Sequence, residues 1–437
     1  MPGTILVWVG VAVIIGVIYA LIKQFETRLV LIVAGLVMCT VAGDPFLALT
    51  EFSKNMVLVT LVQTILAVMG FACVMKVTKC DAHLINLLVG LLSSVRFILV
   101  PAAMIVTAFI NVSLPSAAGC AAAVGAILIP LMISLGVRPA MAAASVMGGT
   151  FGSMLSPGLS HNAYIAEKLM STDVIHVIAV HYWADIVCIL VGAVVLGSVA
   201  VFLKENKGYV PDADHTVLKL ERPNIIYAMV PLVPVFLLIS SAYLGAPDAP
   251  EWAKSTLSNM PWLNKLPVPI AMFIGAILGV AVTRSNPSQC VKEFFDGMGN
   301  AYASILGIII AAGVFVAGMN AVGLVDAFIE ILKNAGSAAR WAAAFGPFLL
   351  AVITGSGDAA ALAFNAAVSP HAEKFGMTVP HLASLATLAG TLGRTMSPLA
   401  GAAIVCAGIA GVNPLEIAKR QAPGMIICLF VAILMLQ

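Results

Sequence analysis

Long apolar stretches recur along the whole chain, and most of its 22 Lys and Arg residues lie between them. A helix needs about 20 apolar residues to cross a bilayer. The chain is 61% hydrophobic and only 10% charged, whereas about a quarter of the residues in a soluble domain are charged. The sequence therefore predicts an all-α polytopic membrane protein. Ten candidate crossings cover residues 4–22, 28–41, 57–75, 140–166, 176–203, 225–244, 268–283, 303–319, 381–410 and 417–436.

Several functional classes are disfavoured by what the sequence contains. The net charge of +2 gives no reason to expect a nucleic-acid partner. The eight cysteines show no Cys-x-x-Cys spacing, and neither a P-loop nor a zinc-protease motif is present. We therefore expect a secondary transporter that needs no cofactor, rather than an ATP-driven pump or an enzyme.

The basic residues predict how the chain crosses the membrane. No basic region precedes the stretch 4–22 and no small-residue cleavage site follows it, so we interpret it as an uncleaved span. With the N-terminus outside, 14 basic residues fall on the inner side and 7 on the outer side. The positive-inside rule then favours both termini in the periplasm of a bacterial inner membrane and the polar linker 204–223 in the cytoplasm.

Two further apolar regions, 96–131 and 340–369, have polar, glycine-containing centres. The arm 97–110 would give about 21 Å of helix at 1.5 Å per residue, which is short of the bilayer core of about 30 Å. We interpret both regions as re-entrant hairpins with tips near the midplane. One long helix, or two helices with a short loop, remains the alternative.

The two halves of the chain resemble each other. Gly149-Thr-Phe-Gly-Ser-Met-Leu-Ser-Pro157 and Gly390-Thr-Leu-Gly-Arg-Thr-Met-Ser-Pro398 agree at five of nine positions, 241 residues apart. Weaker matches follow in the same order, among them Ser113 with Ser356. Repeats 1–203 and 224–437 would each hold five crossings and one hairpin. Because five is odd, the repeats should have opposite orientations, as in many secondary carriers.

The matched segments lie in stretches, 140–166 and 381–410, that are too long and too rich in Gly and Pro to be plain helices. Proline and glycine interrupt helices, and an interrupted helix frees backbone groups that can bind carboxylates or Na⁺. A simple kink is the alternative interpretation. Two matched breaks beside two hairpins favour a midplane binding site, with Gly149 and Gly390 as candidate contributors to a coupling-ion site for Na⁺.

Arg394 is the basic residue that this topology leaves near the bilayer centre. A charge there marks a site or pairs internally, and the arginine fork suits a carboxylate. The alternative is an ion pair with Asp358, which is also a candidate for coupling to H⁺ or Na⁺. The predicted substrate is a small organic anion, and the other predicted contacts are Asn111, Ser113, Ser116, Thr150, Ser153, Ser156, Thr354, Ser356, Thr391, Thr395 and Ser397.

Three other polar residues in apolar surroundings receive structural interpretations. His161 is expected to be a hydrogen-bonded structural histidine, and His181 and Asp185 are expected to be solvated near an interface. A Ser113–His161 pair could in principle serve an intramembrane enzyme, but no nucleophile motif supports that. The doubled site separates the two classes, since an enzyme has no need of two symmetric helix breaks.

These residues resemble those of the DcuC family of anaerobic carriers of four-carbon dicarboxylates. The resemblance rests on Gly393-Arg-Thr-Met-Ser-Pro398, Ala407-Gly-Ile-Ala-Gly411, Asn413-Pro-Leu-Glu-Ile-Ala-Lys-Arg420 and Thr354-Gly-Ser-Gly357. It implies succinate, fumarate or malate as substrates, a homodimer, and an elevator mechanism with scaffold and transport domains. It also implies site residues at the tips (Ser113, Ser356) and at the breaks (Thr150–Pro157, Thr391–Pro398).

Two positions depart from that family pattern. The first tip contains Pro115, and the second contains Asp358 where the resemblance implies a neutral amide. The alternatives that remain are a Na⁺/H⁺ antiporter and a carrier of another organic anion or an amino acid.

Overall fold

A computed structural model describes residues 2–23, 25–57, 59–92, 98–210, 222–244, 252, 259–260, 266–327, 330 and 338–436. These residues are predominantly helical and include no β-strand, as predicted. The α-helices, numbered in chain order, are α1 (Pro2–Ile22), α2 (Thr27–Val41), α3 (Pro45–Met56), α4 (Val59–Val77), α5 (Cys80–Leu92), α6 (Leu99–Ser113), α7 (Ala117–Ser134), α8 (Pro139–Gly149), α9 (Ser160–Tyr164), α10 (Val174–Phe202), α11 (Ile225–Met229), α12 (Val233–Leu244), α13 (Val268–Thr283), α14 (Pro287–Ala301), α15 (Gly307–Ala321), α16 (Ala338–Thr354), α17 (Gly357–Ala367), α18 (Val379–Thr395), α19 (Gly401–Ala410) and α20 (Pro414–Met435).

Three of these helices, α7, α10 and α20, are individually long and apolar enough to cross a membrane. Most of the remaining apolar helices have 10–17 residues. Some of them join into longer rods: α14 continues through the π-helical segment Tyr302–Leu306 directly into α15. Helix α7 has 18 residues, so the second arm of the first predicted hairpin is longer than the 14-residue arm considered from the sequence.

Helices α3, α5 and α14 were not predicted. Helices α3 and α14 begin in the same way, with a capping side chain (Asp44 or Asn286) followed by proline at the first helical position. This is a strong start signal. Helix α14 is amphipathic and carries Lys292, Glu293 and Asp296, so a search for uniformly apolar windows does not detect it.

Helices of the two halves pack against each other in matched pairs. Helix α2 packs on α15, and α4 packs on α13 and α14. The α2–α15 crossing is very close, since a Cβ atom on Gly318 would lie 2.7 Å from the carbonyl oxygen of Gly35. Small residues permit such close approach of two membrane helices.

The contact between α10 and α20 is reciprocal. The thiol of Cys188 lies 3.4 Å from the carbonyl oxygen of Cys428, and the thiol of Cys428 lies 3.1 Å from the carbonyl oxygen of Cys188. The two cysteines are 240 residues apart. Each cysteine therefore directs its thiol at the backbone carbonyl of the other.

A second matched pair of contacts holds the hairpins to the broken helices. A Cβ atom on Gly152 would lie 2.6 Å from Cα of Ala108 in α6. A Cβ atom on Gly393 would lie 3.0 Å from Cα of Phe348 in α16. Glycines 241 residues apart therefore let the first break (Gly152) and the end of α18 (Gly393) each lie directly against the first arm of the hairpin in the same half.

Candidate functional site

At each hairpin tip, a serine caps the N-terminus of the helix that forms the second arm. Helix α6 ends at Ser113, and the Ser116 hydroxyl accepts a hydrogen bond from Gly119 N at 3.2 Å. Helix α16 ends at Thr354, and the Ser356 hydroxyl accepts from Ala359 N at 3.2 Å. The counterpart of Ser356 is therefore Ser116, not Ser113 as the sequence match suggested. The second tip is one residue shorter, and Gly355 turns it with a φ of +75°.

The first break begins where it was predicted. Helix α8 ends at Gly149, a 3₁₀ turn covers Gly152–Leu155, and the chain becomes α-helical again in α9. A Cβ atom on Gly149 would lie 2.5 Å from Met104 O in α6. The glycine therefore permits close contact with α6 at the point where α8 ends.

Two asparagines hold this first break in place. The Asn111 side chain accepts a hydrogen bond from Ser153 N at 2.7 Å and donates one to Leu114 O at 2.8 Å. It therefore joins the hairpin tip to the break. The Asn162 amide donates to Met154 O at 2.8 Å and to Ser156 O at 3.1 Å. No role was predicted for Asn162. An amide side chain that follows an interrupted helix closely in the sequence could have indicated this role, because it can donate to the carbonyls that the interruption frees.

The second break differs from its prediction. Helix α18 continues past Gly390 to Thr395, and the non-helical residues are 396–400. Gly390 instead lies where α18 meets α17, since a Cβ atom on it would lie 3.0 Å from Gly357 O. The glycine thus permits helix packing rather than unwinding. Because Gly390 lies within the helix, it is a weaker candidate than predicted for presenting a free carbonyl to a coupling ion.

Arg394 lies in the last turn of α18 and is buried, with 9% exposure. Its Nη2 donates to Thr150 O in the first break at 3.0 Å, whereas its buried Nη1 has no hydrogen-bond partner. Both Arg394 and Asp358 are described, and no ion pair within 4 Å joins them. The guanidinium therefore links the end of α18 to the first break and keeps a free donor, and it does not form the ion pair that was the alternative interpretation.

Asp358 lies in the first turn of α17, where the helix dipole favours a negative charge. The ionisable side chain beside it is His161, whose Nε2 lies 3.8 Å from Asp358 Oδ1. His161 is completely buried, and neither ring nitrogen has a hydrogen-bond partner. The ordinary hydrogen bond expected of a structural histidine is therefore not formed, although the ring lies beside Asp358.

The predicted hydroxyl groups differ in what they can offer a ligand. Five of the ten already donate to a backbone carbonyl, which leaves only their acceptor sites: Thr150 to Met147, Thr354 to Leu350, Thr391 to Leu388, Thr395 to Thr391 and Ser397 to Val352. The Ser156 hydroxyl accepts from Gly158 N at 3.2 Å. Ser113 is buried and its hydroxyl has no partner. Among the predicted contacts, the Ser113 hydroxyl and Arg394 Nη1 are the buried donors with no hydrogen-bond partner of any kind, which suits them to an anion.

A second buried pair was misjudged from the sequence. His181 and Asp185 were expected to be solvated, but both are completely buried in α10, with Nδ1 and Oδ2 2.5 Å apart. Their spacing of four residues places them on one face of a helix.

Within the described residues, no cluster of three or more His, Cys, Asp or Glu side chains could hold a metal ion. A Na⁺ site would therefore depend on carbonyl and hydroxyl oxygens.

Known proteins resemble this chain over nearly its whole length. Residues 39–437 match the DcuC family model, described as C4-dicarboxylate anaerobic carrier. A Haemophilus influenzae protein described as an uncharacterized transporter is 46% identical over 65% of this chain and 100% of its own length. The anaerobic C4-dicarboxylate transporter DcuC of Escherichia coli K12 is 25% identical over 97% of this chain and 95% of its own length.

Two solved transporter structures share the fold. The YdaH transporter of Alcanivorax borkumensis aligns with a TM-score of 0.57 at 19% identity, over 89% of this chain and 86% of its own. Neisseria gonorrhoeae MtrF, of a class of antimetabolite efflux pumps, aligns with the same TM-score at 14% identity, over 89% and 82%. These relatives agree with the prediction of a multi-pass membrane carrier rather than an enzyme. The chain belongs to the DcuC family of C4-dicarboxylate carriers.

Proposed function

We propose that this protein is a secondary active transporter of C4-dicarboxylates (succinate, fumarate and malate) in a bacterial inner membrane. The observation that carries the proposal is Arg394, a buried cation with an unpaired Nη1. A buried charge at membrane depth is costly and therefore functional by default. The chain's membership of the DcuC family supports dicarboxylates as the substrates.

The surroundings of Arg394 suit a dianion. The guanidinium offers Nη1 to one carboxylate, and the Ser113 hydroxyl is a second unpaired donor. The second arms α7 and α17 both begin at a hairpin tip. Helix N-termini carry partial positive charge and attract anions. A four-carbon dicarboxylate would place one carboxylate at Arg394 and the other near a tip.

We propose that transport uses two inverted repeats and an elevator movement. The hairpins and broken helices would form the transport domain, and α2–α4 with α13–α15 would form the scaffold. The matched pairings of α2 with α15 and α4 with α13, together with the reciprocal Cys188–Cys428 contact, support this division. The repeats would move substrate by cation-coupled transport or by exchange, within a homodimer.

The proposed orientation places both termini in the periplasm. It assigns the start of the linker and the start of α20 to the cytoplasm. Arg420 in α20 donates to both carboxylate oxygens of Glu205 at 2.6 Å. This bidentate pair supports placing the two segments on the same side of the membrane.

The central experiment measures labelled succinate uptake in proteoliposomes. Arg394→Ala should abolish uptake while the protein still folds, and Arg394→Lys should restore little, since lysine cannot replace the planar fork. Arg284→Ala removes an exposed arginine at the end of α13 and serves as the matched control. Full succinate uptake by Arg394→Ala would refute the substrate role.

One observation supports an alternative, a Na⁺/H⁺ antiporter. The Asp358 side chain is 47% exposed, and Arg394 does not neutralise it. Proton flux driven by a Na⁺ gradient alone, without organic acid, would favour that function. A carrier of another organic anion or of an amino acid is tested by competition, since the better substrate should suppress succinate uptake.

A further inference from the structure

His161 is a completely buried histidine whose two ring nitrogens have no hydrogen-bond partner. Buried polar groups are nearly always paired, and leaving one unpaired is unfavourable. The residue lies in α9, immediately after the first helix break. The site so far described gives this imidazole no task, although histidine is the side chain that titrates near neutral pH.

The charges that interact with this imidazole are those of Asp358 and Arg394. Asp358 belongs to the second hairpin, and its Oδ1 lies 3.8 Å from His161 Nε2. The elements that pack against α9 include α4, α10, α17 and the π-helical segment that follows it. Their other titratable groups, with Tyr164 of α9 itself, are Cys73 and Lys76 in α4, Glu167 and Lys168 in the π-helical segment, and His176, His181, Tyr182, Asp185 and Cys188 in α10. His181 and Asp185 bind each other.

The sum of these charges poses a problem for an anion site. When His161 is neutral, the Asp358 carboxylate offsets the Arg394 guanidinium, so the three side chains together carry no net charge. A dicarboxylate would then bind close to a carboxylate that has no ion-pair partner, in a group with no net positive charge. A proton on the imidazole gives the group a net positive charge and supplies Asp358 with a cationic partner.

We propose that His161 and Asp358 form a proton-binding site that couples H⁺ to the movement of a dicarboxylate dianion; this rests on the proposed function. Nε2 of His161 takes the proton, the resulting imidazolium pairs with Asp358 Oδ1, and the same nitrogen returns the proton to water on the other side. The dianion and the proton stabilise each other, because coupling between two bound ligands is reciprocal.

The arrangement suits a proton better than Na⁺. The Thr150 carbonyl, which the first break leaves available, accepts a hydrogen bond from the Arg394 guanidinium. A sodium ion bound there would lie beside a fixed positive charge. The Asp358 side chain is 47% exposed, so it connects the buried imidazole to water. The pair also joins α9 in the first half to α17 in the second. Protonation of His161 therefore changes a contact between the two halves.

The test measures how many protons accompany each succinate. Proteoliposomes containing the full chain and internal pyranine receive opposed succinate and pH gradients, and the pH gradient that just stops succinate flux gives the ratio. This null point does not depend on the transport rate. Asp358→Asn should lower the ratio by about one proton per succinate, since the neutral amide cannot hold the imidazolium. Asp358→Glu should restore the wild-type ratio, and Glu373→Gln, which removes an exposed carboxylate after α17, is the control.

His161→Gln supplies a second test that does not change the carboxylate. It should lower the ratio by the same one proton per succinate and weaken the dependence of uptake on the pH gradient, because glutamine cannot take up a proton. An unchanged ratio in Asp358→Asn would overturn the proposal, as would wild-type flux that follows Na⁺ and ignores the pH gradient. Those outcomes leave the carrier function intact. Wild-type protein that moves no dicarboxylate under any gradient would instead refute the proposed function.

Discussion

The two helix breaks have similar sequences but different structures. In the first, α8 stops at Gly149 and ten residues pass before α9 begins. In the second, α18 runs on to Thr395 and only five residues lie outside helix before α19. The first break is a loop held by the side chains of Asn111 and Asn162. The second is a helix end that carries a charge.

The comparison shows how two similar sequence segments can contribute different groups to the proposed site. Ser153 of the first break corresponds to Arg394 of the second. Because α18 is still helical at Arg394, a rigid element holds the guanidinium, and the helix C-terminus favours its positive charge. The first break contributes the complementary group, a carbonyl oxygen at Thr150. One half thus supplies the cation and the other the backbone that orients it.

Moving the charge between the breaks should have the largest effect. Arg394→Ser should reduce succinate uptake by at least about 100-fold, since the anion loses its charged partner. The exchange variant Ser153→Arg/Arg394→Ser should not recover activity, because Ser153 is buried and its backbone is held by Asn111. Uptake by the exchange variant close to the wild-type rate would show that the two breaks are equivalent.

Replacing the matched glycines Gly149 and Gly390 by alanine should destabilise the protein to different extents. Gly149→Ala places a Cβ atom 2.5 Å from Met104 O, whereas the nearest atom to a Cβ on Gly390 lies at 3.0 Å. We expect Gly149→Ala to destabilise the protein by roughly 3 kcal/mol and Gly390→Ala by about 1 kcal/mol, in the range of overpacked interiors. Thermal unfolding in detergent measures both. Gly408→Ala meets nothing within 4 Å and is the control. Equal losses at the two glycines would contradict the structural difference.

The asparagine that holds the first break should matter more than its counterpart in the second half. Asn111→Ala leaves the buried N–H of Ser153 without its partner, which should cost about 1–3 kcal/mol of stability. We also expect uptake to fall about tenfold, since a misplaced Thr150 carbonyl no longer orients Arg394. Val352 lies 241 residues later and contributes only its backbone carbonyl to Ser397. Val352→Ala should therefore leave uptake near wild type, and a comparable loss there would argue against the asymmetry.

Substitutions at the reciprocal cysteine contact should have the smallest effects on stability. Each of its two residues makes the same kind of thiol–carbonyl contact with the other. Cys188→Ser and Cys428→Ser each replace a thiol donor by a hydroxyl in a buried contact. Each should change stability by under about 1 kcal/mol, and by nearly the same amount. The double variant, measured by the same unfolding assay, should show non-additivity because the residues are in contact. Clearly unequal single effects would break the proposed symmetry at this contact.

The sequence predicted the apolar helices well and the polar contacts unevenly. Helix α13 matches its predicted range, and α10 and α20 begin or end within a few residues of theirs. Such helices are set by local hydropathy, which the sequence carries directly. Helix α14 was missed because its polar face interrupts the apolar pattern.

Within the proposed site, the sequence predicted roles for Arg394, Asp358 and Ser113 but could not determine which groups they contact. It offered Asp358 as the partner of Arg394, whereas the structure gives Arg394 the Thr150 carbonyl and places Asp358 beside His161. Those partners lie more than 190 residues apart in the chain. Nothing local relates them, so only the packing of the two halves decides which groups meet.

By itself, the sequence determined a polytopic helical carrier, two matched breaks and a positive charge in one of them. These follow from hydropathy, from the conformational limits of Gly and Pro, and from the cost of a charge in a membrane. The tertiary structure alone decided that Gly390 packs a helix instead of breaking it, that Ser116 is the counterpart of Ser356, and that His161 and His181 are buried. The physical reason is that a helix ends, and a polar group stays unpaired, according to what surrounds it in three dimensions.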